Sequence, residues 1–313
     1  LNAGRASEAV DHLIAAVKED PARPAQVYRV LTIQLYQAGR TVEGEAFAAQ
    51  ALEHYPRDYD LLNIRGVLLR RLKRQAEAVP VLERAVKLDP RNKAAQQNLG
   101  NVLLDLGENA RAEAVFGKLV RQDPRNSEYL RQLGRSLVRQ GRIEPGLSRL
   151  RQAVMVKRED IDAWLELAGA LLEENRIPEA EEALDKGLAA NPGASRLIEA
   201  RATVLRRQGR NADAEVFLTG LLAAHPDAAW LHHQLGVLFA DRDRDRANIH
   251  FERAVALEPG RLEYVVALVE GLERTRSGDE GANIERAYQL ALPLLALAQV
   301  TPAAPVRLAT GQA

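Results

Sequence analysis

"NLGNVLLDLGENARAEAVFGKLVRQDPRN" occupies residues 98–126, and a stretch 34 residues earlier keeps its pattern of Leu, Gly, Ala and Pro while changing almost everything between. Prolines stand at Pro21, Pro56, Pro90, Pro124, Pro192, Pro226 and Pro259, at separations of 35, 34, 34, 68, 34 and 33 residues, with Arg158 at the middle of the double step. Self-similarity at a period near 34 is the signature of stacked helical pairs. A chain of 313 residues exceeds the usual size of a single core, and the period says that it grows as a linear array.

A small residue stands twelve positions before each proline or its equivalent, at Ala9, Gly44, Ala78, Ala112, Gly146, Ala180, Ala214 and Ala247. Another stands 24 positions before, at Gly66, Gly100, Gly134, Ala168, Ala202 and, with one residue deleted, Gly236. Small side chains let two helices approach closely, so these positions mark helix crossings. Large apolar residues such as Leu62, Leu69, Leu82 and Val86 follow helical period around them. Gly39, Gly107, Gly141, Asn175 and Gly209 fall where a left-handed residue closes the first helix of each pair. The prolines end the second helix, because proline cannot continue the hydrogen-bond ladder.

The stretch "AWLELAGALLEENRIPEAEEALDKGLAANP" at residues 163–192 resembles the tetratricopeptide repeat in its Trp, Leu, Ala and Pro positions, and the resemblance covers residues 1–299. It implies an all-α, right-handed superhelical solenoid of antiparallel helix pairs. The expected organisation is a half repeat at 1–24, repeats starting near 25, 59, 93, 127, 161, 195, 229 and 262, and an Ala/Pro-rich tail or linker at 300–313. "RTRSGDEG" at 274–281 lengthens the last turn by about six residues.

Lys plus Arg and Asp plus Glu both total 43, and aromatic residues make up 4%, so neither a basic field nor stacking platforms point to nucleic acid. There is no Cys, which excludes disulfides, thiolate metal sites and a Cys nucleophile. The longest apolar stretch, at 290–300, is too short to span a bilayer and contains Pro293. The chain begins at Leu1 without a basic-then-apolar leader, which leaves a removed leader or an excised fragment as the readings. The cytoplasm is favoured over the periplasm, and the Ala- and Arg-rich composition is compatible with a bacterial source. An apolar helix expected at 288–299 points to a further C-terminal domain, to self-association, or to a buried cap.

"DRDRDRANIHFE" has the acidic spacing of a calcium loop in Asp241, Asp243, Asp245 and Glu252, but Arg246 stands where the glycine of the sharp turn is needed. His232 and His233 are neighbours on a helix and point about 100° apart, so they cannot chelate one ion together. No phosphate-cradling glycine loop, zinc signature or nucleophile elbow occurs, and no cofactor is implied.

The resemblance implies that the second, fifth, sixth, ninth and thirteenth positions of each first helix line a concave face. These include Asn63 and Arg71; Gln97, Asn98 and Asn101; Arg131, Gln132, Arg135 and Arg139; Asp162, Glu166 and Glu173; Arg196, Glu199 and Arg207; and His233 with Gln234. Arg131, Arg135 and Arg139 lie four apart as a basic stripe, followed by Glu166 and Glu173. Such alternation suits an extended peptide of mixed charge. The carboxylate clamp of chaperone-binding members would fall on Gln97, Asn101, Gln132, Asp162 and Glu166, whose acids repel a terminal carboxylate. The stretch "QNLGNVLLDLG" at 97–107 is similar to the repeat region of peptide O-linked N-acetylglucosamine transferases. Their asparagine ladder is met here by Ile64, Asn98, Gln132, Glu166, Ala200 and Gln234. The expected function is a non-enzymatic scaffold that binds a protein or peptide. Two alternatives stand beside it: the substrate-recruiting region of a larger glycosyltransferase or sulfotransferase, and a periplasmic scaffold for polysaccharide or envelope assembly.

Overall fold

A computed structural model describes residues 2–274 and Gln289, the side chains of residues 2–9 and 274 excepted. The longer turn, the apolar segment and the tail expected at the C-terminal end lie outside the described residues, Arg274 and Gln289 apart. All described elements are helices: α1 (Asn2–Glu19), α2 (Ala25–Gln37), α3 (Thr41–His54), α4 (Tyr59–Arg71), α5 (Gln75–Leu88), α6 (Lys93–Asp105), α7 (Asn109–Gln122), α8 (Ser127–Val138), α9 (Ile143–Val156), α10 (Ile161–Glu173), α11 (Ile177–Ala190), α12 (Ser195–Arg207), α13 (Asn211–Ala224), α14 (Ala229–Phe239), α15 (Arg244–Leu257) and α16 (Leu262–Arg274). The chain is an all-α helical repeat array.

Local chemistry sets the helix ends. Asp58, Asn92, Asn126 and Asp160 cap α4, α6, α8 and α10, each side chain accepting a hydrogen bond of 3.0 or 3.1 Å from the amide three residues on. The turn after each first helix from α2 to α12 holds a left-handed residue, with φ of +76° at Gly39 and Gly107 and +56° at Asn175. Lys73 takes the same conformation, φ +61°, at a turn that no glycine or asparagine marks in the sequence. The second helices end two residues before the proline. α9 stops at Val156 in the same register without one, because the Lys157 amide closes on the Ala153 carbonyl at 3.0 Å and Asp160 then caps the next helix.

The helices form two compact units, residues 1–191 and 192–313. In the first, each first helix packs on its own second helix and on the next first helix, as α4 does on α5 and α6. In this unit the backbones of successive second helices stay farther apart and are bridged by long side chains, as Arg111 of α7 reaches Glu83 of α5 at 2.6 Å and Arg151 of α9 reaches Glu179 of α11 at 2.9 Å. Close packing on one side and separation on the other curve the stack with α2, α4, α6, α8 and α10 inside. The crossings are as tight as the small residues require. A Cβ built on Gly100 would lie 2.6 Å from the buried Phe116 ring, and one on Gly146 would lie 2.9 Å from the Gly134 carbonyl oxygen. Leu62, Leu69 and Leu82 are fully buried around them and Val86 partly so. In the second unit α12, α14 and α16 pack in series, and Phe251 fills the space over Gly236.

Candidate functional site

The inner face of the first unit carries two open clefts. One, of about 590 Å³, is walled by α4, α6 and α8 and reaches Tyr36 of α2; the other, of about 230 Å³, lies between α8 and α10. Arg135 and Arg139 line both, so the two join into one channel along the first helices.

Of the groove residues expected from the sequence, Arg71, Asn98, Arg135, Arg139, Glu166 and Glu173 wall this channel. Asn63 accepts a hydrogen bond of 2.8 Å from the Asn98 amide, which ties neighbouring repeats together. Gln97, Asn101 and Asp162 are half-buried on the same helices. Arg131, Arg135 and Arg139 do not act alike, although they share one face. Arg131 is 12% exposed and forms ion pairs with Glu128 and, at 2.9 Å, with Glu166. Burial works against its charge, but the carboxylates of Glu128 and Glu166 raise its pKa. Burial in turn pushes the Glu166 carboxyl above its usual range, against the pull of Arg131 and of Arg135 at 3.7 Å. Gln132 is buried and donates to Glu128 at 2.7 Å. Arg139 reaches across to donate to the Leu104 carbonyl at 3.0 Å.

The remaining expected residues lie in the second unit. Arg196, Glu199 and Arg207 are exposed, and Gln234 is half-buried. His233 is buried, its ring 5.9 Å from Phe251 and 5.1 Å from Tyr264, so it belongs to the packing between α14, α15 and α16. Asp243 of the acidic run caps α15, accepting from the Arg246 amide at 3.1 Å, and the residues after it are helical.

Models of the family described as tetratricopeptide repeat match residues 34–93, 69–135 and 137–204, over half of the chain. The chain is a tetratricopeptide repeat protein. No curated protein matches its sequence. Solved tetratricopeptide repeat structures share its fold. One from Parabacteroides merdae superposes with a TM-score of 0.55 at 19% identity over 79% of this chain and 98% of its own. The C-terminal part of a repeat protein from Cytophaga hutchinsonii gives 0.54 at 16% identity over 77% and 99%. MamA from Desulfovibrio magneticus, from its residue 41 onward, gives 0.51 at 22% identity over 54% and 96%. Tetratricopeptide repeat arrays are in general interaction scaffolds that present extended concave surfaces to protein or peptide partners. No described helix of this one is long and apolar enough to cross a membrane.

Three features of this tetratricopeptide repeat chain escape the sequence reading. An arginine opens most second helices, and at Arg40, Arg74 and Arg176 it forks onto a glutamate three residues on, as Arg74 does on Glu77 with two bonds of 2.7 Å. It also reaches the previous pair, Arg74 to Glu45 at 3.1 Å and Arg142 to Glu113 at 2.6 Å. The recurrence of Arg40, Arg74, Arg142, Arg176 and Arg210 at multiples of 34 is the signal that could have found it. In the second unit the Nδ1 atoms of His232 and His250 lie 3.1 Å apart, a pairing across 18 residues that no local motif announces. Lys73 is the third: its turn has no glycine, and it lines the larger cleft.

Proposed function

We propose that this repeat array binds an extended segment of a partner protein along the channel of α4, α6, α8 and α10. The observation that carries the reading is the continuity of the two clefts through Arg135 and Arg139. An extended chain advances about 3.3 Å per residue and the first helices lie about 10 Å apart, so every third partner residue would meet a new helix. Polar side chains held by neighbouring repeats, Asn98 on Asn63 and Arg139 on the Leu104 carbonyl, offer donors and acceptors to a partner backbone with little further ordering.

A photo-crosslinking amino acid tests this when placed at Val67 or Gly169, which line the clefts, and at Val216 or Ile249, which are exposed on second helices. Partner crosslinks are expected at the first pair of positions. Equal yields from both pairs would refute the groove.

A further inference from the structure

We infer that the stretch of the channel between α4 and α8 takes an acidic segment of polypeptide, held through Asp and Glu side chains, with Lys73 among the contacts. The inference deepens the groove reading above and rests on it. It begins with charge. The larger cleft is walled by Arg70, Arg71, Lys73, Arg135 and Arg139 against one carboxylate, Asp105, which Arg70 already pairs at 2.6 Å. Arg135 has Glu166 within 3.7 Å, but that carboxylate is bonded more closely to Arg131 and belongs to the smaller cleft. The chain carries equal numbers of basic and acidic residues, so the excess here is local and not a property of the whole.

Two of these cations are also held in place. The Arg71 guanidinium lies 4.7 Å over the Tyr36 ring, and Arg139 is anchored on the Leu104 carbonyl. Arginines fixed by a ring or a backbone oxygen lose little freedom when a carboxylate arrives. Lys73 adds an independent observation. Four of the equivalent turns use glycine at φ of +72° to +76°, yet this one keeps a lysine at +61°, a conformation that strains any side chain. The strained residue stands at the cleft wall and adds a charge there.

The spread of the cations selects the ligand. The Arg71 head lies over Tyr36 of α2 and the Arg139 head on the Leu104 carbonyl of α6, so they are anchored on first helices two spacings apart, about 20 Å between axes, which one phosphate cannot bridge and about six extended residues can. Carboxylates on alternate residues of one segment would meet them in turn.

The test uses the full chain, a dye-labelled Glu-rich peptide, its Gln analogue and a phosphoserine peptide, read by fluorescence anisotropy, with a crosslinker at Val67 reporting occupancy of the channel. The Glu-rich peptide is expected to bind about tenfold more tightly than the Gln analogue and to weaken as salt rises. Lys73→Gly and Arg139→Gln are each expected to weaken it about threefold. Lys73→Gly should also raise the unfolding midpoint, since glycine relieves the turn, so its lost affinity would not reflect misfolding. Equal binding of the two peptides, both crosslinked at Val67, would overturn the acidic ligand and leave the groove standing. Binding without crosslinks at Val67 would overturn the groove itself. A strong preference for phosphoserine over Glu would assign the cleft to phosphate and reject the inference.

Discussion

Gly146 and Gly169 lie inside α9 and α10 and differ in one respect. A Cβ added at Gly169 meets nothing within 4 Å, whereas at Gly146 it would lie 2.9 Å from both the Gly134 carbonyl oxygen and the Val138 amide nitrogen. Alanine restricts the unfolded chain equally at both sites and favours the helix, a gain of about 0.5–1 kcal/mol. At Gly169 that gain is the whole effect. At Gly146 the obstruction is a Val138 methyl at 2.6 Å together with two backbone atoms that cannot swing aside, so α8 and α9 must separate, and overpacking costs about 1–3 kcal/mol or more. Gly169→Ala is therefore expected to stabilise by about 0.5–1 kcal/mol and Gly146→Ala to destabilise by about 1–2 kcal/mol. Urea unfolding followed by circular dichroism measures the totals. Native-state hydrogen exchange assigns them to helices, because repeats can open separately. Amides of α8 and α9 should exchange about five- to thirtyfold faster in Gly146→Ala, the equivalent of about 1–2 kcal/mol. A Gly146→Ala protein as stable as wild type would mean that these helices do not owe their crossing to the missing side chain.

Other expectations follow from the caps, the buried charges and the histidines. Asn126→Ala removes the side-chain bond to the Tyr129 amide and should cost about 1 kcal/mol by urea titration. Arg131→Ala leaves the half-buried Glu166 with Arg135 alone and should cost about 2–4 kcal/mol, with the Glu166 carboxyl titrating higher still by NMR. Burial lowers the pKa of His232, His233 and His250, with Arg253 and Arg246 adding to it and Asp227, Glu215, Glu199 and Glu263 opposing it. A base with a folded pKa below its unfolded value favours folding above that unfolded value, about 6.5, and the contribution is lost as pH falls below it. Exchange protection of α14 and α15 should therefore drop as pH falls below about 6.5, and His250→Phe should flatten that drop.

Much of the fold is legible in the sequence because repeat packing is local. A residue such as Ala112 or Gly100 must be small for the same reason in every pair, so steric demand prints a period onto the chain. Gly107 and Gly141 announce their turns through backbone conformation alone. Lys73 occupies the same left-handed region without announcing it, because lysine is not a residue that marks a turn. Among the groove residues, position along the helix indicates a face but not the condition of a side chain on it. His233 sits at a groove position and is nonetheless enclosed by Phe251 and Tyr264.

The amino-acid sequence by itself determined the helical pairs, their crossings and their period, since these follow from side-chain size and from contacts between neighbours along the chain. Tertiary structure alone decided the electrical character of the groove. Arg131, Arg135 and Arg139 are equivalent by spacing, yet Glu166, 35 residues from the first, neutralises Arg131 and leaves Arg139 to the cleft. Ion pairing depends on distances across the gap between repeats and on burial, and neither is a function of position in the chain.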